Sequence, residues 1–201
     1  MQPSRDGCQI FNGRPIPRGG LIENVRRAKN PVVNFDISVR AISYFDRVGV
    51  KPTRRVSVHA AVPRDHPAYE LLACFGGLRV GVDENDEMLE EIRNDIAFEY
   101  TEPYGEIEEW ERLLRTRLIG IAETHHRHGL LFLSDDERFF NLSGMHDAMG
   151  FNGVGFTKAV DNLFFGQSMP MIRPDQKSVL WYGIEYTAND SGLYRFSDES
   201  R

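Results

Sequence analysis

"RLIGIAETHHRHGLLFLSDDERFFNL", residues 117–142, holds three apolar runs separated by polar links of four and three residues, "HHRH" and "DDE". A parallel crossover needs about a dozen residues, so links this short permit only antiparallel neighbours. The middle run, "GLLFLS", is apolar almost throughout, as expected of a central strand covered on both faces. The stretch therefore predicts a meander and places it at the centre of the molecule.

Upstream, "YELLACFGGLRV" (69–80) gathers large apolar residues around Gly76 and Gly77. Ala68, Leu71, Leu72 and Phe75 recur at helical spacing, with Pro67 where a first turn tolerates it. The glycine pair reads as a structural turn, with Gly77 as left-handed cap and Leu78 packing back on Leu72. Leu78, Val80 and Val82 then alternate as a strand. A phosphate cradle needs glycines leading from a strand into a helix, the opposite order.

Further elements follow the same logic. Ser38 can cap a helix carrying Val39, Ile42, Phe45 and Val48, ended by Gly49. "RRVSVHAAVP" alternates as a half-buried strand, and "IAFEY" as another. Met88 and Ile92 suggest a short helix, while Ile107, Trp110, Leu113 and Leu114 mark one apolar helical face. Phe156, Ala159, Val160, Leu163 and Phe164 mark the last helix, stopped by Gly166. "SVLWYGIEY" and "GLYRF" flank "TANDS" as a terminal hairpin. The order of elements predicts a single α+β domain, a central antiparallel meander with helices packed on it. Phe132, Leu71, Leu72, Phe75, Trp110, Leu163 and Phe164 are its expected core. Residues 1–34 read as an irregular N-terminal tail, 35–174 as the folded domain, and 175–201 as a C-terminal extension.

No apolar run approaches the roughly 20 residues that span a bilayer, and the first twenty residues lack a hydrophobic signal core. Two cysteines, Cys8 and Cys74, are too few for a disulfide framework and suggest free thiols in the cytoplasm. The net charge of −6 conceals an uneven distribution: residues 83–111 carry thirteen carboxylates against Arg93 alone, while residues 1–60 hold eleven Lys/Arg against four Asp/Glu. The acidic segment is either a solvated face or a docking surface for a basic partner. In the second case Glu84, Asp86, Glu87, Glu102, Glu106, Glu108 and Glu109 are the candidate contacts, driven outward as the apolar residues between them turn in. An acidic chain repels a phosphate backbone, so direct nucleic-acid binding is not expected.

The search for chemistry is unproductive. Glu123, His125, His126 and His128, with Asp135 or Asp136, could supply zinc ligands, yet no ligand pattern of known spacing is completed. A polar hairpin tip accounts for the histidines. The two cysteines lie too far apart for a zinc deaminase, and neither a nucleophile elbow nor a phosphate-binding loop is present. "GFNGVG" (150–155) has the wrong glycine spacing for a dinucleotide. The residues imply no catalysis, no metal and no cofactor.

Four segments in order carry a resemblance. They are "ISYFDRVGVKPTRRVSV", "YELLACFGGLRV", "RLIGIAETHHRHGLLFLSDDERFFNL" and "GFTKAVDNLFFG". Together they resemble the SUKH superfamily of bacterial immunity proteins, in its third group, over residues 38–166. Val50 stands where that family commonly has tryptophan, and Glu137 where its last hairpin usually has glycine. The resemblance implies a non-enzymatic cytoplasmic protein that neutralises a cognate polymorphic toxin, often a nuclease or deaminase, by direct contact. An intracellular scaffold of the same superfamily is the alternative, and a metal-dependent hydrolase using the histidine tip is a third.

Overall fold

Six consecutive buried residues, Gly129–Ser134, form the central strand β4 of a seven-stranded antiparallel sheet. Its neighbours are β3 (Leu118–Thr124) and β5 (Arg138–Ser143), as the short links require. Outside them lie β2 (Ile96–Thr101) and β1 (Arg79–Val80) on one side, β6 (Ala148–Val154) and β7 (Met169–Pro170) on the other. From β1 to β7 the order in space is the order in the chain. The computed structural model describes residues 35–51, 53–103, 107–146 and 148–196.

Both faces of β4 are covered because its side chains alternate into two cores. Leu131 and Leu133 join Phe45, Phe75, Phe156 and Phe164, contributed by α1 (Ile42–Arg47), α2 (Pro67–Phe75) and α4 (Phe156–Phe165). Leu130 and Phe132 point the other way, onto Ile107, Trp110 and Leu114 of α3 (Ile107–Leu114) and onto Met149 and Met171. The expected core residues Phe132, Leu71, Leu72, Phe75, Trp110, Leu163 and Phe164 are all buried. This is the α+β meander with helices packed on it.

The Gly76–Gly77 turn is real but works differently from a left-handed helix cap. Gly76 has φ −48° and ψ 132°, Gly77 has φ +79°, and the Leu78 amide donates to the Phe75 carbonyl at 2.9 Å. That is a type II turn, whose third residue requires glycine. The Gly77 amide donates to the Phe98 carbonyl at 2.6 Å, so it ties α2 to β2 and not back into the helix. Arg54 closes the helix end instead, donating to the carbonyls of Cys74 and Gly76 at 2.7 Å each.

Several local expectations are corrected. Val39 is 79% exposed, because α1 starts only at Ile42, after a turn in which Ser38 accepts the Ala41 amide. Val56 and Val58 alternate in burial with exposed neighbours, but residues 54–62 pair with no strand among the described residues. Residues 83–95 form turns, not a helix: Asp83 accepts the amides of Asn85 and Glu87 at 2.8 and 3.0 Å, holding in a turn the donors a helix would use. The terminal hairpin, β8 (Ser178–Trp181) with β9 (Ile184–Thr187), turns at Tyr182–Gly183 and not at "TANDS". Cys74 is disulfide-bonded, so the free thiol expected there is not found. Strand β6 had no counterpart in the sequence reading. Glu137 has φ +62°, a conformation that glycine adopts at no steric cost.

Candidate functional site

The acidic segment begins as a loop pegged from below and charged above. Met88 and Leu89 are half-buried and Ile92 is buried in the helical core. Arg93 donates its amide to the Phe164 carbonyl and its guanidinium to that of Gly166, and Asn94 Nδ2 reaches the Leu163 carbonyl at 2.8 Å. The loop thereby caps the C-terminus of α4, whose last carbonyls need donors. With the apolar pegs inward, Asp83, Glu84, Asp86, Glu87, Glu90 and Glu91 are all exposed. The Glu87 and then the Asn85 amide hold the Asp83 carboxyl below its ordinary pKa.

One carboxylate of the segment is not outside. Asp95 is 2% exposed, accepts the His126 amide at 2.8 Å through Oδ1, and pairs through Oδ2 with Arg79 Nη2 at 3.2 Å. The same guanidinium pairs with Asp86. Arg79 thus ties the acidic loop to the histidine tip.

The remaining candidates are elsewhere. Glu102 is exposed in the link after β2, and Glu106 lies outside the described residues. Glu108 and Glu109 sit in the first turn of α3, where carboxylates favour the positive end of the helix dipole. Glu108 is exposed, whereas Glu109 is half-buried and lies 3.7 Å from Arg173. Helix α3 covers the sheet face opposite to that of α4. The structure therefore brings Glu84, Asp86 and Glu87 together and places Glu108 and Glu109 on another layer, so the carboxylates do not form one face.

The histidine tip is a tight left-handed turn: His125, His126 and Arg127 have φ +51°, +52° and +71°. His126 and His128 are exposed and His125 is half-buried. Asp135 and Asp136 lie in the β4–β5 link, at the other end of a six-residue strand. At about 3.3 Å per residue they are far out of reach of a shared ion. Among the described residues no group of three or more His, Cys, Asp or Glu is placed to hold a metal ion. No helix among them is long and apolar enough to cross a membrane.

Two features have no forerunner in the sequence reading. His66 is 1% exposed and caps α2, its Nδ1 accepting the Ala68 amide at 3.1 Å. Tyr182 meets His125 and His146 edge-on, with ring centroids 6.4 and 5.6 Å away. His66 was findable as a polar residue just before Pro67. The Tyr182 cluster joins three separate turns and has no linear signature.

Against known families, the model of the SUKH-3 immunity protein matches residues 20–166. Neither the curated proteins nor the solved structures contain a match. The matched segment covers most of the chain, ends with α4, and includes the Gly76–Gly77 turn and the whole meander from β1 to β6. This chain belongs to the SUKH-3 immunity protein family.

Proposed function

We propose that the chain is an immunity protein that binds a cognate toxin domain directly and blocks it, without catalysis of its own, in the cytoplasm. The family supplies the toxin-immunity role. The single structural observation that supports direct contact with a basic partner is the loop at 83–91, which holds six exposed carboxylates above the half-buried Met88 and Leu89. A basic toxin, of nuclease or deaminase type, is drawn to such a surface, raising the association rate by about tenfold or more at low salt. Glu84 and Glu87 lead in this role, with Asp86 partly neutralised by Arg79. Glu108 and Glu109 on α3, and Glu102 after β2, lie apart from that loop.

The test is a binding-rate measurement between this chain and its toxin domain at several salt concentrations, with two charge-reversed variants. Reversing Glu84, Glu87 and Glu90 to lysine slows association and flattens its salt dependence. Reversing Glu108 and Glu109 changes the rate far less. Unchanged rates in the first variant refute the loop as the attracting surface. A toxin that neither binds the chain nor is neutralised by it on co-expression refutes the function.

A further inference from the structure

At the end of the sheet where the acidic loop enters β2, three turns converge. The β3–β4 turn brings His125, the β5–β6 turn brings Met145 and His146, and the β8–β9 turn brings Tyr182 and Gly183. Tyr182 has φ +48° and Gly183 φ +81°, so both central residues of this two-residue turn are left-handed. Such turns favour Asn-Gly or Gly-Gly, and a tyrosine there is strained. The strain is held in place from beneath. Trp181 is 3% exposed and packs so closely on β6 that a Cβ on Gly150 would lie 2.6 Å from its ring.

The inner face of the hairpin is therefore occupied by packing; at its tip the Tyr182 ring rests against His125, His146 and Trp181 and its hydroxyl bonds to Asn141, which fixes the ring with part of its surface still open. Tyr182, Ile184 and Met145 are 46%, 52% and 53% exposed. Exposed aromatic and methionine side chains are enriched at the centres of protein interfaces. From this tip an unbroken series of contacts leads to the carboxylates: Tyr182 to His125, the neighbouring His126 amide to Asp95, Asp95 to Arg79, and Arg79 to Asp86. An apolar centre and an acidic rim thus share one end of the molecule. The hairpin lies beyond residue 166, where the family-matched segment stops.

Resting on the function proposed above, we infer that the β8–β9 hairpin is the specificity element of this immunity protein. Tyr182, with the exposed Met145 of the β5–β6 turn and Ile184 of β9, is the apolar anchor of the toxin interface, and the 83–91 carboxylates are its steering rim. The occupant is a toxin domain with a basic surface around an apolar recess that takes the tyrosine ring. Charge complementarity selects it over a second copy of this acidic chain.

The substitution Tyr182→Asn tests recognition, because it removes the ring while giving the hairpin its preferred turn residue. Relief of the turn and loss of the hydroxyl's bond to Asn141 oppose each other, so the expected result is a melting temperature within a few degrees of wild type and toxin dissociation at least tenfold faster. Association is expected to stay within about twofold, since steering belongs to the carboxylates. Met145→Ser is expected to act in the same direction. Exposed Val39→Ser, in the turn before α1, is the control. Dissociation unchanged in both Tyr182→Asn and Met145→Ser, from a wild-type chain that does bind, overturns the anchor and leaves the proposed function standing. A wild-type chain that does not bind the toxin overturns both. A wild-type dimer in sedimentation that Tyr182→Asn converts to monomer makes a second copy the occupant, and also overturns the inference.

Discussion

Arg79 and Asp95 form a pair in which only one partner is withdrawn from water: the aspartate is 2% exposed, the arginine side chain 25%. Removing one member of a buried pair costs about 3–5 kcal/mol, less where one side meets solvent. Arg79→Met is therefore expected to destabilise the fold by about 2 kcal/mol or more. Asp95→Asn is expected to cost less, because the amide oxygen still accepts the His126 N–H. The double variant is expected to lose less than the sum of the two, by denaturant unfolding. Strict additivity would mean that the two charges do not interact.

At the glycine turn, Gly77→Val is expected to destabilise by about 1 kcal/mol or more, since φ +79° resists a β-branched side chain. Gly76 fails for a different reason, as a Cβ there would stand 2.5 Å from the Leu72 carbonyl oxygen. Thermal melts of the two valine variants test this, and an unchanged melting temperature in either contradicts the turn.

The opposite change is expected at Glu137, whose φ of +62° is unfavourable for any residue with a Cβ. Glu137→Gly is expected to stabilise by up to about 1 kcal/mol, part of the relief being offset by a more flexible unfolded chain. A lower melting temperature would show that the glutamate side chain contributes more than its backbone costs.

His66 makes stability depend on pH. Burial lowers its pKa below 6.5, and the nearby Asp135 carboxylate, 3.7 Å away, only partly counters this. With Nδ1 accepting the Ala68 amide, the native ring is neutral with its proton on Nε2. The unfolded ring takes up a proton near pH 6.5 while the folded one resists, so stability is full above that value and declines as pH falls below it. His66→Asn keeps a capping side chain and removes the titration. Its stability is expected to be flat through this window, and a slope equal to the wild type's would assign the effect to another group. Asp135, held below its ordinary pKa chiefly by its hydrogen bond from Arg117, contributes a separate loss at pH 3.8 and below.

The central strands were legible because an unbroken apolar run between very short links admits one topology. Strand β6 was not, because Gly150 and Gly153 dilute its pattern, and Gly150 is small to admit the Trp181 ring, a contact from another element. The acidic loop looked helical from Met88 and Ile92, yet one carboxylate, Asp83, captures the amides and the helix does not form. The alternation at Val56 and Val58 did report burial, but no strand among the described residues lies beside it to complete a ladder. Outward-facing carboxylates were foreseeable from the charge run. Their division between the loop and α3 was not, since it depends on which sheet face each element covers.

The agreement between chain order and spatial order from β1 to β7 bears on how this protein folds and diverges. Each strand pairs with one already beside it in sequence, so the sheet can zip from a central hairpin without waiting for distant segments to meet, which favours rapid folding. No strand is threaded between two others, so a turn can grow without disturbing the topology. Doubling a turn's length costs only about 0.6 kcal/mol in closure entropy. New loop sequences, and with them new binding partners, can therefore accumulate at the turns while the strands between them stay as they are.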